Sequence, residues 1–151
     1  MKNTSLCYIE YEDKYLMLKR TKKENDENRD KWLGVGGKFE EGESPYECAR
    51  REIFEETGLS DLPLSYRGIV TFVSDEYGTE YMHLFTAKTD EDKIDFECSE
   101  GELVFVKKSD VYSLPIWEGD KIFFKLLETS TDFFSLKLTY SKDKLISYKI
   151  D

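Results

Sequence analysis

The pattern of apolar and polar positions divides the chain into short strands and two helices. Residues 4–11 (TSLCYIEY) and 14–20 (KYLMLKR) read as two strands joined by a tight polar turn at Glu12-Asp13. The next stretch, 21–31 (TKKENDENRDK), holds no apolar side chain and predicts a solvated loop. Ser44-Pro45-Tyr46-Glu47 is a helix-start signal: Ser44 caps free amides, Pro45 takes the first helical position and Glu47 reaches back. Gly58 supplies a left-handed stop, so a helix is expected over 45–57. Residues 66–74 (YRGIVTFVS), 80–88 (EYMHLFTAK) and 102–107 (ELVFVK) are rich in β-branched and aromatic residues and predict strands. In 118–128, Ile122, Phe123, Leu126 and Leu127 form the stripe of an amphipathic helix. Leu136, Leu138 and Tyr140 then alternate with polar residues, so 133–140 and 144–150 predict a hairpin around Ser141-Lys142-Asp143. Strands interleaved with two helices indicate an α/β sandwich with a mixed sheet.

Length and charge narrow what such a chain can do. The 151 residues fit one domain spanning 1–151. The formal charge of −10 argues against holding a nucleic-acid polymer, which takes a basic surface. A small anion could still bind through local Lys or Arg or a bridging cation. There is no apolar run of membrane-spanning length, and the first ten residues lack the apolar core of a signal peptide. A cytoplasmic protein without membrane partners is expected. Cys7, Cys48 and Cys98 lack paired spacing and fit reduced thiols. With His83 the only histidine, a metal site has to rest on oxygen ligands, which points to Mg²⁺ or Mn²⁺. His83 itself, between Met82 and Leu84, reads as packing or pocket lining.

The helix expected at 45–57 carries the chemistry. At 100° per residue, Glu52, Glu55 and Glu56 form one acidic stripe beside an apolar face of Tyr46, Ala49 and Ile53. They lie where the helix dipole disfavours negative charge, and Glu52/Glu56 is a repulsive pair one turn apart. A solvated acidic face is one reading; a cation site is the other. Gly34-Val35-Gly36-Gly37 favours the second, because glycines let backbone approach an ion closely and offer carbonyl oxygens to it. Arg51 inside the cluster can orient a carboxylate through a bidentate pair.

Residues 37–59, GKFEEGESPYECARREIFEETGL, match every fixed position of the pattern G-x5-E-x7-R-E-U-x-E-E-x-G-U, where U is a bulky aliphatic residue. The chain thereby resembles the Nudix hydrolases. That resemblance implies an α/β/α sandwich, hydrolysis of nucleoside diphosphates linked to another moiety, and Mg²⁺ held on this helix. It implies Glu52, Glu55 and Glu56 as metal ligands with the Gly36 carbonyl nearby, Arg51 orienting them, and Gly37 and Glu43 shaping the loop before the helix. A further acidic ligand or base comes from a later loop; Glu100 is the best match, with Glu97 and Glu102 as alternatives. Metal ions bridge phosphate oxygens while a carboxylate positions and deprotonates water for in-line attack.

Outside that stretch the chain resembles the MutT-homologue branch, which cleaves oxidised purine nucleoside triphosphates such as 8-oxo-dGTP in nucleotide-pool sanitation. The likeness lies in Lys31 to Lys38 (KWLGVGGK), the strand with Phe72, residues 114–120 (LPIWEGD) and the terminal hairpin. It implies that Trp117 stacks on the base and Asp120 bonds its edge. Core packing is the alternative for Trp117, and helix N-terminal charge for Asp120. Two positions depart from the animal enzymes of this branch: Leu33 stands where they carry Asn, and Gly119 replaces one of two adjacent base-reading acids. Arg20 and Lys38 are candidate phosphate contacts, and Leu33 and Phe72 candidate pocket residues. The resemblance leaves other nucleotide-linked substrates open. Tyr77 lies near the place of a Tyr in the diadenosine-polyphosphate branch, whereas Ser74 occupies the place of a Pro in the ADP-ribose branch. A nucleotide-sensing module without turnover, and either a monomer or a homodimer, also remain open.

Overall fold

The computed structural model describes residues 1–21 and 30–151; most of the polar loop expected at 21–31 lies outside them. In chain order the strands are β1 (Lys2–Tyr11), β2 (Lys14–Arg20), β3 (Trp32–Leu33), β4 (Val35–Lys38), β5 (Leu64–Ser74), β6 (Gly78–Lys88), β7 (Gly101–Lys107), β8 (Phe134–Ser141) and β9 (Lys144–Ile150). Helix α1 (Pro45–Thr57) precedes β5, and α2 (Asp120–Thr129) precedes β8. The strands form one mixed sheet in the order β3-β2-β1-β6-β5-β8-β9, with β4 paired to β1 and β7 to β2. The β1/β6 and β5/β8 pairs are parallel, and the other pairs are antiparallel.

Helices cover both faces, so the central strand is apolar on both sides instead of alternating. Along β1, Leu6 and Tyr8 point into a core closed by Phe123, Phe124 and Leu127 of α2. Cys7 and Ile9 point the other way, toward Ala49 and Ile53 of α1. This is the α/β/α sandwich expected from the sequence. The three cysteines are free and buried in it.

The predicted α1 matches the observed helix at both ends because its signals are local. Ser44 Oγ accepts from the Glu47 N–H at 3.2 Å, Glu47 Oε1 accepts from the Ser44 N–H at 2.9 Å, and Gly58 closes the helix at φ 76°. Tyr46 does not share the buried face of Ala49 and Ile53. It is 38% exposed and lays its ring edge-on against Phe85 and Tyr66.

The second helix begins at Asp120 instead of 118 and runs to Thr129. Its start is set by a distant group: the Gly119 N–H donates to Tyr140 Oη of β8 at 2.7 Å. A Cβ on Gly119 would fall 2.5 Å from Leu138 Cδ1, so glycine is what lets the end of this helix rest on the sheet. Strands β1, β5, β6 and β7 extend one or two residues earlier than expected, where ladder partners recruit polar residues. Lys2 and Asn3, for example, pair with Glu80 and Tyr81. The terminal hairpin forms at 134–141 and 144–150.

Asp75, in the turn between β5 and β6, accepts from Ser141 Oγ and the Lys142 N–H, both at 2.9 Å, and ties that turn to the β8–β9 turn. These donors, the Lys142 amide foremost, hold its carboxyl below the ordinary Asp range. A lowered carboxyl contributes stability above its unfolded pKa and loses it as pH falls through the folded value. Asp75→Ala should therefore lower Tm at pH 7, and the difference from the parent should shrink below about pH 3.9, as thermal unfolding across pH will show.

Candidate functional site

The site is built where β4, α1, β7 and the start of α2 meet the sheet. The strand β4 lies against β1, with Leu6 opposite Gly36 and Ser5 opposite Gly37. A Cβ on Gly36 would stand 2.0 Å from the Ser5 carbonyl oxygen, and one on Gly37 would stand 2.6 Å from Glu52 Oε1. Two side-chain-free positions thus allow β4 to close on β1 and the α1 carboxylates to close on β4.

Arg51 organises the carboxylates. Its Nε and Nη2 donate to the two oxygens of Glu43 at 2.7 and 2.9 Å, a bidentate pair. Nη1 donates to Glu52 Oε1 at 2.7 Å and Glu55 Oε2 at 3.1 Å, and Nη2 also reaches the Lys38 carbonyl at 3.0 Å. The guanidinium holds Glu43 down at about 2. Glu43 also accepts from the Glu40 N–H at 2.7 Å, which fixes the turn before α1.

Glu56 sits in a different environment. It is 5% exposed, and the Gly36 N–H donates to its Oε2 at 2.9 Å. The resemblance points to the Gly36 carbonyl beside the carboxylates; in the structure it is the Gly36 amide that touches one. Burial, followed by the neighbouring charge of Glu52, pushes Glu56 up to about 8 despite that bond. Burial also raises Glu52 above the usual carboxylate range, with Arg51 opposing. Glu55 differs from both, with its side chain 54% exposed and turned toward Arg51.

Glu52, Glu56, Gly36, Gly37 and Arg51 line one end of a cavity of about 910 Å³. Glu100 joins them and stands 3.4 Å from Arg20 Nη2, which also lines the cavity. Of the three acids considered at 97–102, Glu100 faces this space while Glu97 and Glu102 are exposed. Among the described residues, no three carboxylate, imidazole or thiol groups already stand in positions that enclose an ion. The donor chemistry nevertheless fits a hard cation. His83 is engaged elsewhere, with Tyr66 Oη at Nδ1 and Asn3 Oδ1 at Nε2 and with Phe39 packed on its ring, so the groups converging here are oxygens. Burial and then the neighbouring Glu52 charge raise Glu56, and a bound cation would oppose both.

The other end of the cavity is aromatic. Phe72 and Trp117 meet edge to face with centroids 5.4 Å apart, and Tyr77, Met82 and Leu33 stand nearby in the lining. Trp117 is both core and cavity wall: it is 6% exposed, packs against Tyr140, and has Lys31 Nζ 4.8 Å above its ring. Asp120 borders the same space, 4% exposed, with Oδ2 lacking a hydrogen-bond partner among the described residues. Burial pushes its carboxyl up to about 8, opposed by Lys31. Lys38 also lines the cavity.

Sequence reasoning missed Lys2, Thr4 and Glu80, which also line this wall. Glu80 looked like a polar strand end. The available signal was its two-residue spacing from Met82 and Leu84, which places it on their face. Ser74, at the place of the ADP-ribose branch's Pro, instead accepts from the Glu76 and Tyr77 N–H groups at 3.1 and 3.0 Å.

The chain is similar to known proteins over most of its length. Residues 2–127 match the profile of the NUDIX domain family. The "Uncharacterized Nudix hydrolase YvcI" of Bacillus subtilis (strain 168) is 29% identical over 150 residues, covering 96% of this chain and 91% of that protein. The "Oxidized purine nucleoside triphosphate hydrolase" of Danio rerio is 31% identical over 128 residues, covering 80% of this chain and 78% of that one. The crystal structure of the mMutator MutT protein from Bacillus halodurans superposes with a TM-score of 0.86 at 30% identity, covering 100% of this chain and 98% of that one. No helix among the described residues is long and apolar enough to cross a membrane. With its signature helix, its carboxylate-lined cavity and these relatives, the chain belongs to the Nudix family of MutT-like hydrolases.

Proposed function

We propose that this Nudix hydrolase cleaves purine nucleoside triphosphates, oxidised ones such as 8-oxo-dGTP among them, into monophosphate and pyrophosphate with Mg²⁺ as cofactor. The observation that carries this reading is one cavity lined both by the rings of Phe72 and Trp117 and by the carboxyl groups of Glu52, Glu56 and Glu100. Trp117 and Phe72 offer ring faces and edges to a base, and Asp120 a buried carboxyl to its edge. Leu33 adds apolar contact. Arg20, ion-paired with Glu100, and Lys38 line the same cavity, where they would meet a phosphate chain. The zebrafish relative, named for oxidised purine nucleoside triphosphates, supports the same substrate class.

Glu52, Glu55, Glu56 and Glu100, with backbone at Gly36, are the residues that would hold the metal. When bound, Mg²⁺ would offset the negative charge that develops on the phosphate during cleavage. Arg51 acts by position, holding Glu52 and Glu43 in fixed orientation. Glu55 would turn from Arg51 toward the cavity to take part. With the metal bound, an ionised carboxylate of this wall, such as Glu56 or Glu100, would accept the proton of the attacking water.

Purified protein given Mg²⁺ and a panel of 8-oxo-dGTP, dGTP, dATP, ADP-ribose and diadenosine polyphosphates should release monophosphate and pyrophosphate from the purine triphosphates with the highest kcat/KM. Preference for a dinucleoside polyphosphate or ADP-ribose would keep the chemistry and refute the substrate. Glu56→Gln should cut turnover by at least about a hundredfold with the fold intact, the scale of losing an acid/base or charge-stabilising group. Arg51→Lys should lower kcat by about tenfold or more and fail to restore the parent, because an ammonium cannot make the bidentate pair with Glu43 while reaching Glu52. Near-parental kcat in that variant would remove Arg51 from the positioning role. In thermal unfolding, Mg²⁺ at about a hundredfold over its Kd should raise Tm by about 5 °C or more. That rise should vanish in Glu52→Gln.

A further inference from the structure

The wall of the cavity formed by β1 and β6 carries a charged group in an apolar setting. Glu80 pairs in register with Phe72 of β5 on one side and Lys2 of β1 on the other. Its side chain therefore shares a face with Phe72 and, two residues on, with Met82. It is only 15% exposed. Thr4 Oγ1 donates to Glu80 Oε2 at 2.8 Å, and Lys2 Nζ lies 3.4 Å from Oε1. All three side chains line the cavity.

A carboxylate placed among aromatic and thioether groups loses hydration that an apolar residue would not need. The backbone ladder already joins β1 to β6 here, so strand pairing does not require the ion pair. Thr4 and Lys2 fix the carboxylate in one orientation, yet they use only part of its capacity of about four acceptor positions. Each oxygen thus has one partner, Oε2 with Thr4 and Oε1 with Lys2, and the lone pairs left over belong to a side chain that lines the slot.

Location decides what it can meet. Along β1, Leu6 faces Gly36 at the carboxylate end, and Lys2 faces Glu80 four residues away, a span of about 13 Å at strand rise. Glu80 stands beside Phe72, which touches Trp117, which precedes Asp120. It belongs to the slot end of the cavity, and its charge disfavours a phosphate there. The neutral part of a nucleotide is what it would contact.

We propose that Glu80, oriented by Thr4 and Lys2, is a specificity-determining residue that selects nucleobases presenting an N–H donor to this wall. The inference rests on reading the cavity as a nucleotide site and adds a second reader to it. Asp120 approaches the base from the start of α2, and Glu80 approaches from the sheet beside Phe72. A base must then satisfy both walls, which disfavours those whose edge at Glu80 carries a lone pair or a bare C–H.

The test uses metal-free binding, so it does not depend on turnover. Calorimetric Kd values are compared for monophosphates that differ by one donor: dGMP against dIMP, 8-oxo-dGMP against dGMP, and dAMP against the monophosphate of purine deoxyriboside. The parent should favour the donor-bearing member of at least one pair by about tenfold to a hundredfold, the worth of a hydrogen bond to a charged group. Glu80→Met should erase that preference while leaving the donor-free member bound as before. The isosteric Glu80→Gln should reduce it, and Thr4→Val should weaken it in part by freeing the carboxylate. A purely structural ion pair would lower Tm in these variants and leave the ratios unchanged. Unchanged ratios in folded Glu80→Gln and Glu80→Met, or no preference in the parent, would overturn the proposal while the hydrolysis assay above stands on its own. Failure of all the monophosphates to bind would instead refute the nucleotide reading of the cavity, and Glu80's role with it.

Discussion

The close approach of β4 to β1 is the constraint on which the site depends. Gly36 and Gly37 have no room for a methyl group: one would strike the Ser5 carbonyl and the other the Glu52 carboxylate. Because both positions are bare, the Gly36 amide reaches Glu56 and the Glu52 side chain rests against β4. A side chain at Gly36 would force β4 off the β1 backbone, and one at Gly37 would displace the Glu52 carboxylate, so either would disturb the wall that Glu52 and Glu56 share with Glu100. Backbone packing therefore sets the carboxylate geometry first, and Arg51 then refines it.

That geometry is electrostatically unfavourable in isolation. Glu56 is raised by burial and by Glu52 beside it, while Arg51 directs its strongest bonds to Glu43 and Glu52 and leaves Glu56 to a single backbone amide. The structure keeps one carboxyl group buried with little charge compensation a few residues from a well-compensated one. Burial raises both carboxyls, and only Glu52 has a guanidinium hydrogen-bonded to it to oppose the rise. Asp120 repeats the pattern at the aromatic end, where burial again dominates and Lys31 only partly offsets it.

How much of this was legible in the sequence depended on whether the cause was local. The helix α1 could be read at both ends because Ser44, Glu47 and Gly58 act within a few residues of one another. Strands β3 and β4 were hidden in what looked like a glycine loop, because VGGK has no alternation and becomes a strand only through its ladder with β1. The start of α2 was set too early, since Glu118 and Asp120 look alike as N-terminal charges and the Gly119 bond to Tyr140 spans 21 residues. Within the site, Glu52, Glu56 and Arg51 came with the helix, and Glu100 was one of three nearby acids until the β7 ladder turned it inward. Glu80 was not recognised because its spacing from Met82 and Leu84 gives the face of β6 it shares but not that this face borders the cavity.

Gly119 bears on how this pocket can change. In the resembling animal enzymes an acid occupies this place, yet here any side chain would collide with Leu138 and with the Tyr140 hydroxyl that anchors the turn. A single codon change toward that acid would therefore disrupt the anchor before it could add a base contact. The two residues of β8 have to shrink or shift first, so the order of substitutions is constrained, and the chemistry of this cavity wall is inherited together with the strand behind it.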